Sequence, residues 1–219
     1  MDRIRDDLEA IAEGIRQDFS DKDSAREKGL SLCRETIRHS SDAIRTLHRQ
    51  EYELARTMLS SARSRLDEVS HVLGEHPDLL HSGFVHDAQK EFAEGSITLA
   101  LVSGNPPPIP DSLGISHAAY LNGLGEAVGE LRRYLLDSMR KGELDPCDRL
   151  LEAMDDIYGV LVTMDFPDAI TKGLRRTTDA VRGILEKTRG DLTMALRQRD
   201  LEKRLANFEE QSSTGKLRT

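Results

Sequence analysis

Four glutamates stand in two helically spaced pairs. The stretch KEFAEGS holds Glu91 and Glu94 three residues apart, and GEAVGEL holds Glu126 and Glu130 four apart. Either spacing places both carboxylates of a pair on one helix face. Carboxylates brought close repel one another, so a cluster of four is expected to need a cation. Oxygen donors select hard divalent ions, here Mg2+ or Mn2+. Gly123, Gly125 and Gly129 border the second pair, and each costs a helix about 1 kcal/mol relative to alanine. Space for water and a phosphate beside the carboxylates is the expected return. The chain carries 39 acidic residues, so the same spacings also arise on ordinary solvated faces, and that reading stands beside the metal site.

Other chemistry-bearing residues carry less. Arg132–Arg133 and Arg175–Arg176 are adjacent pairs, whose members point about 100° apart on a helix, so at most one of each faces any given site. Surface ion pairs and RNA contact are both open to them. Glu68 and His71 have the spacing of a di-iron carboxylate bundle, but that architecture needs a second such pair and the sequence has none. His71 is therefore expected at the edge of the core, and His81 and His86 on the polar surface. Cys33 and Cys147 fit no metal spacing and read as free thiols. No glycine-rich phosphate loop, serine elbow or Cys–His dyad is present, which disfavours phosphorylating and acyl-transferring enzymes.

The elements that must position these residues are helical throughout. Ile4, Leu8, Ile11 and Ile15 recur at helical spacing and predict a first helix over residues 2–18. DFSDKDS offers N-caps for a second helix, with Leu30, Cys33, Ile37, Ile44 and Leu47 as its stripe. A third carries Ala55, Leu59, Ala62, Leu66, Val69 and Leu73, and a fourth runs from about Asp78 to Val102. Four of the seven prolines fall in SGNPPPIPDSLGIS, a segment no helix can cross. Ser116 caps the fifth helix, which ends near Lys141. Asp145 caps the sixth, and Pro167 opens a seventh, with Gly190 a point of interruption. The proline segment is short enough to make its flanking helices an antiparallel hairpin, setting both acidic pairs at similar heights. Residues 1–210 read as one helical domain and 211–219 as a disordered tail.

Composition agrees. Aromatics are 4%, tryptophan is absent and charged residues reach 32%, a balance that favours long amphipathic helices over sheet. No apolar run approaches the ~20 residues that span a bilayer, and MDRIRDDLEAI is too charged for a signal peptide. A cytoplasmic protein is expected. The net charge of −8 argues against nonspecific coating of duplex DNA, although a local patch or bound metal can still hold nucleic acid.

At these same residues the sequence resembles the translin family, specifically its nuclease-type branch, that of translin-associated factor X. QKEFAEG, AYLNGLGEAVGELRRYLLDSMRKGELD and LRRTTDAVRGILEKTRG carry the resemblance. It implies a seven-helix, all-α bundle of long antiparallel helices, assembled into an octameric shell with acidic sites facing inward, either as a homo-oligomer or with a paralogous partner chain. It also implies a metal-dependent endoribonuclease with Glu91, Glu94, Glu126 and Glu130 as metal-binding and catalytic residues. Where a member of that branch has aspartate, this chain has Glu126, one methylene longer. Lys90 and Arg133 are expected to guide the backbone of single-stranded or structured RNA. Two other functions remain: a nonenzymatic RNA- or DNA-binding shell, and an all-α nucleotide pyrophosphohydrolase. The latter's second acidic pair has E-x-x-D spacing where this chain has E-x-x-x-E.

Overall fold

The computed structural model describes residues 2–215, with side chains described for residues 4–211. Nine helices and no strand occur among the described residues: α1 Asp2–His48, α2 Tyr52–Leu73, α3 Pro77–Leu80, α4 Gly83–Val102, α5 Pro110–Leu113, α6 His117–Arg140, α7 Asp145–Val162, α8 Asp168–Thr171 and α9 Leu174–Gly215. No helix among the described residues is long and apolar enough to cross a membrane. The chain groups into two compact units, residues 1–124 and 125–219, with the boundary inside the unbroken α6.

In the first unit α1 packs along α2 and α4. The apolar stripe of α2 is buried at each of its six expected positions, Ala55 through Leu73. The helix break expected at DFSDKDS is absent, and α1 runs through it as one helix of 47 residues. Serine and aspartate inside a helix cost only a few tenths of a kcal/mol each. That cost is offset locally by a Gln17–Asp21 hydrogen bond and an ion pair from Lys22 to Asp78 near the start of α3. The Lys22 hydrogen bond holds the Asp78 carboxyl below its ordinary range. Ile4, Leu8, Ile11 and Ile15 are helical as expected, yet all four are exposed.

The proline segment contains the short α5, ended by Gly114 in the left-handed region at φ 60°. Ser116 caps α6 as predicted, its Oγ accepting from the Ala119 N–H at 3.3 Å. The Ser116 N–H donates to Gln89 Oε1 at 3.1 Å, which ties the start of α6 to α4.

In the second unit α7 packs on α9, burying Leu150, Met154, Ile157 and Leu161. Asp145 is the first residue of α7 rather than its cap: the N-cap is Leu144 and no side chain bonds the helix end. The helix expected from Pro167 stops after α8 because Lys172 and Gly173 take positive φ, 53° and 88°. The chain restarts as α9, which continues through Gly190 and residues 211–215; residues 216–219 of the expected tail lie outside the described residues.

Gly190 is exposed, and a Cβ there would meet nothing within 4 Å. Gly190→Ala is expected to stabilise the protein by about 1 kcal/mol, raising Tm by roughly 2–4 °C. Thermal unfolding checks this, and an unchanged or lower Tm counts against a continuous helix.

Both thiols are buried, and burial pushes Cys33 and Cys147 from 9.0 to about 11. The thiolate is the reactive form, so neither should react with a maleimide at pH 8 until the protein unfolds. Between pH 9 and about 11 the folded thiols hold protons the unfolded chain releases, so this contribution to stability is lost as pH rises. Stoichiometric labelling of native protein at pH 8 would contradict the burial.

Candidate metal centre

The site begins with the residues that turn α4. Phe92, Ala93 and Gly95 are buried, which fixes the face of α4 turned to the core and leaves Glu91 and Glu94 half-buried beside it. Gly123 on α6 meets that same turn. A Cβ built on Gly123 would lie 2.7 Å from both the Ala93 Cβ and the Lys90 carbonyl oxygen, and 3.0 Å from the Glu94 amide nitrogen. Only a hydrogen fits there. The glycine permits the two backbones to approach, and Glu126 follows it by three residues on the same helix.

That approach gathers three carboxylates. Glu91, Glu94 and Glu126 each offer an oxygen, and these oxygens lie within 4.8 Å of one another. Unit charges at that separation repel by roughly 3 kcal/mol per pair at an effective dielectric of 20, so a bound divalent cation would relieve substantial repulsion. An all-oxygen donor set, half-buried and open to water, fits Mg2+ or Mn2+. Glu130, one turn beyond Glu126, stands outside this set of three, and its carboxylate lies 3.8 Å from the Arg133 guanidinium.

The glycines are not a shared clearing beside the carboxylates. Gly123 is filled by α4, and a Cβ on Gly125 would sit 2.4 Å from the Thr177 Cγ2 of α9. Around Gly129 alone of these three is there nothing within 4 Å. Two of them therefore serve close packing, a use that residue type does not distinguish from open space.

An uncharacterized protein of Methanocaldococcus jannaschii is 30% identical to this chain over 194 residues, covering 85% of the chain and 83% of the relative. The crystal structure of AfC3PO is 33% identical with a TM-score of 0.81, covering 86% of this chain and 98% of that one. The chain belongs to the translin-like C3PO family. A second solved structure, AfC3PO in complex with duplex RNA, is 32% identical with a TM-score of 0.80, covering 86% of this chain and 97% of that one. Apo-NeC3PO, 17% identical with a TM-score of 0.76 over 84% of this chain and 96% of that one, shares the fold. No family model matches the chain.

Within this C3PO-family chain the arginine pair divides as helix geometry requires. Arg132 turns inward and donates to Thr188 Oγ1 at 2.8 Å and to Asp191 at 2.7 Å, while Arg133 is exposed. Arg175 and Arg176 are both exposed. Lys90 is half-buried on α4, beside Glu91. His71 is exposed rather than at the core edge, because Val69 and Leu73 carry the buried face of α2. Nothing in its residue type marks Gln89, whose role as the tie to Ser116 depends on a contact 27 residues away.

Proposed function

We propose that this chain is a divalent-metal-dependent endoribonuclease acting within a homo-oligomer, an octamer by analogy with the translin family. The observation that carries the reading is the convergence of Glu91, Glu94 and Glu126 within 4.8 Å. The likeness to AfC3PO, solved with duplex RNA, supports RNA as the substrate class. Glu91, Glu94 and Glu126 would hold Mg2+ or Mn2+, which as a Lewis acid would stabilise negative charge at a phosphodiester. Glu130 completes the acidic set from the next turn, where the Arg133 guanidinium 3.8 Å away partly compensates its charge. Lys90 and Arg133 supply the positive charge that draws the RNA backbone toward the carboxylates.

The test is to strip the protein of metal, restore Mn2+ or Mg2+, and offer labelled RNA and, separately, a panel of nucleoside triphosphates. Metal-dependent RNA cleavage with no triphosphate hydrolysis is expected. RNA bound but left intact under every metal would make the protein a nonenzymatic shell. Triphosphate hydrolysis without RNA cleavage would make it a pyrophosphohydrolase.

A further inference from the structure

Two seams of apolar side chains are left exposed among the described residues. Ile4, Leu8, Ile11 and Ile15 line the start of α1, and Met194, Leu201 and Leu205 line the end of α9, each between 50% and 69% exposed. Their spacing is not that of a general amphipathic face. Residues 4, 8, 11 and 15 follow the four-three-four rhythm of a coiled-coil seam, as do 194, 198, 201 and 205, with Gln198 the one polar member. Both stretches are already helical, so pairing them requires no folding.

We propose that the α1 seam of one copy packs antiparallel against the α9 seam of a second copy. In that arrangement Ile15 lies on Met194, Ile11 on Gln198, Leu8 on Leu201 and Ile4 on Leu205, so four layers match in one register. The flanking positions agree with it. Arg5 falls opposite Glu202, Asp7 opposite Arg204, and Ala12 opposite Ala195, where two small residues permit close approach. Within the chain Arg204 makes an exposed pair with Asp200 at 3.0 Å, a weak bond to exchange.

Orientation and partner are set by the same charges. A parallel pairing of the same four layers places Asp7 against Glu202, like against like, and leaves Arg5 and Arg197 with no charge pair. Antiparallel self-pairing of the α1 seam sets Arg5 and Asp7 opposite Ala12 and Gly14 and gains no charge pair. The α1–α9 pairing covers both seams and satisfies their charges together. It uses neither the carboxylates nor RNA, so it stands or falls apart from the nuclease reading.

Disulfide trapping tests it on the full chain. Leu8→Cys and Leu201→Cys are made separately, one carrying a size tag, then mixed and mildly oxidised; Cys33 and Cys147 are buried and stay in place. A mixed-size disulfide dimer is expected from the mixture, with little from either variant alone. In parallel, Arg5→Glu should weaken self-association about tenfold, read by light scattering across a dilution series, and adding Glu202→Arg should restore it. Disulfides formed by Leu201→Cys alone, or no rescue by the reversed pair, would overturn the proposal. So would a monomer of 24.5 kDa at micromolar concentration.

Discussion

Glu126→Gln is expected to abolish metal-dependent RNA cleavage while leaving the fold intact. The substitution keeps the side-chain length and removes one of three charges whose oxygens meet within 4.8 Å. A neutral amide is a weaker ligand for Mg2+ or Mn2+ than a carboxylate. Outer partners of a metal site are worth about 10–100-fold, so losing a direct ligand should cost about 100-fold or more. Glu91→Gln and Glu94→Gln should behave alike. Glu130→Gln should cost less, about tenfold, because Glu130 stands outside the group of three and beside Arg133. Metal-free stability should hold or rise slightly in the first three variants, since each relieves repulsion among like charges. A thermal shift supplies a readout independent of cleavage: at about 100 times its Kd, Mn2+ should stabilise the native protein by about 2.7 kcal/mol. That shift should shrink in Glu126→Gln. Equal cleavage by Glu126→Gln and the native protein, or no Mn2+ shift in either, would remove the metal centre.

Gly123→Val should produce the largest loss of stability of any single change near the site. Even alanine there places a methyl 2.7 Å from the Lys90 carbonyl oxygen and 3.0 Å from the Glu94 nitrogen. Those are backbone atoms inside α4 and cannot swing aside. Overpacking of this kind costs about 1–3 kcal/mol, against which alanine regains about 1 kcal/mol of helix propensity. Gly123→Ala is thus expected to be destabilised by about 1 kcal/mol, and the branched valine by about 3 kcal/mol or more. In a chain of this length valine should lower Tm by roughly 6–12 °C. Separation of α6 from α4 also moves Glu126 away from Glu91 and Glu94, so the Mn2+ thermal shift should fall with it. Gly190→Ala, where no atom lies within 4 Å, moves Tm in the opposite direction and controls for helix propensity. If Gly123→Ala raises Tm as Gly190→Ala does, the close approach of the two helices is wrong.

The residues that sequence reads well are those whose behaviour is local. Periodicity is imposed by 3.6 residues per turn, so the six buried positions of α2 and the Ser116 cap of α6 were legible from their neighbours alone. Prolines mark breaks for the same reason, since the missing N–H acts within one turn. The glutamate pairs were also legible, because spacing alone puts each pair on one face.

What spacing does not carry is which elements meet, and there the tertiary structure decided. Whether residues 2–48 form one helix or two turns on a few tenths of a kcal/mol per residue, and a contact with Asp78 lies some fifty residues away in sequence. That Ile4 through Ile15 are exposed while the stripe of α2 is buried cannot be told from the stripes themselves, which have the same spacing. Glu126 rather than Glu130 joins Glu91 and Glu94 because α6 makes its tight approach at Gly123, three residues before Glu126. A glycine packed against another helix and a glycine beside open space are the same letter. Only the backbone of α4, 2.7 Å from a Cβ that is not there, tells them apart.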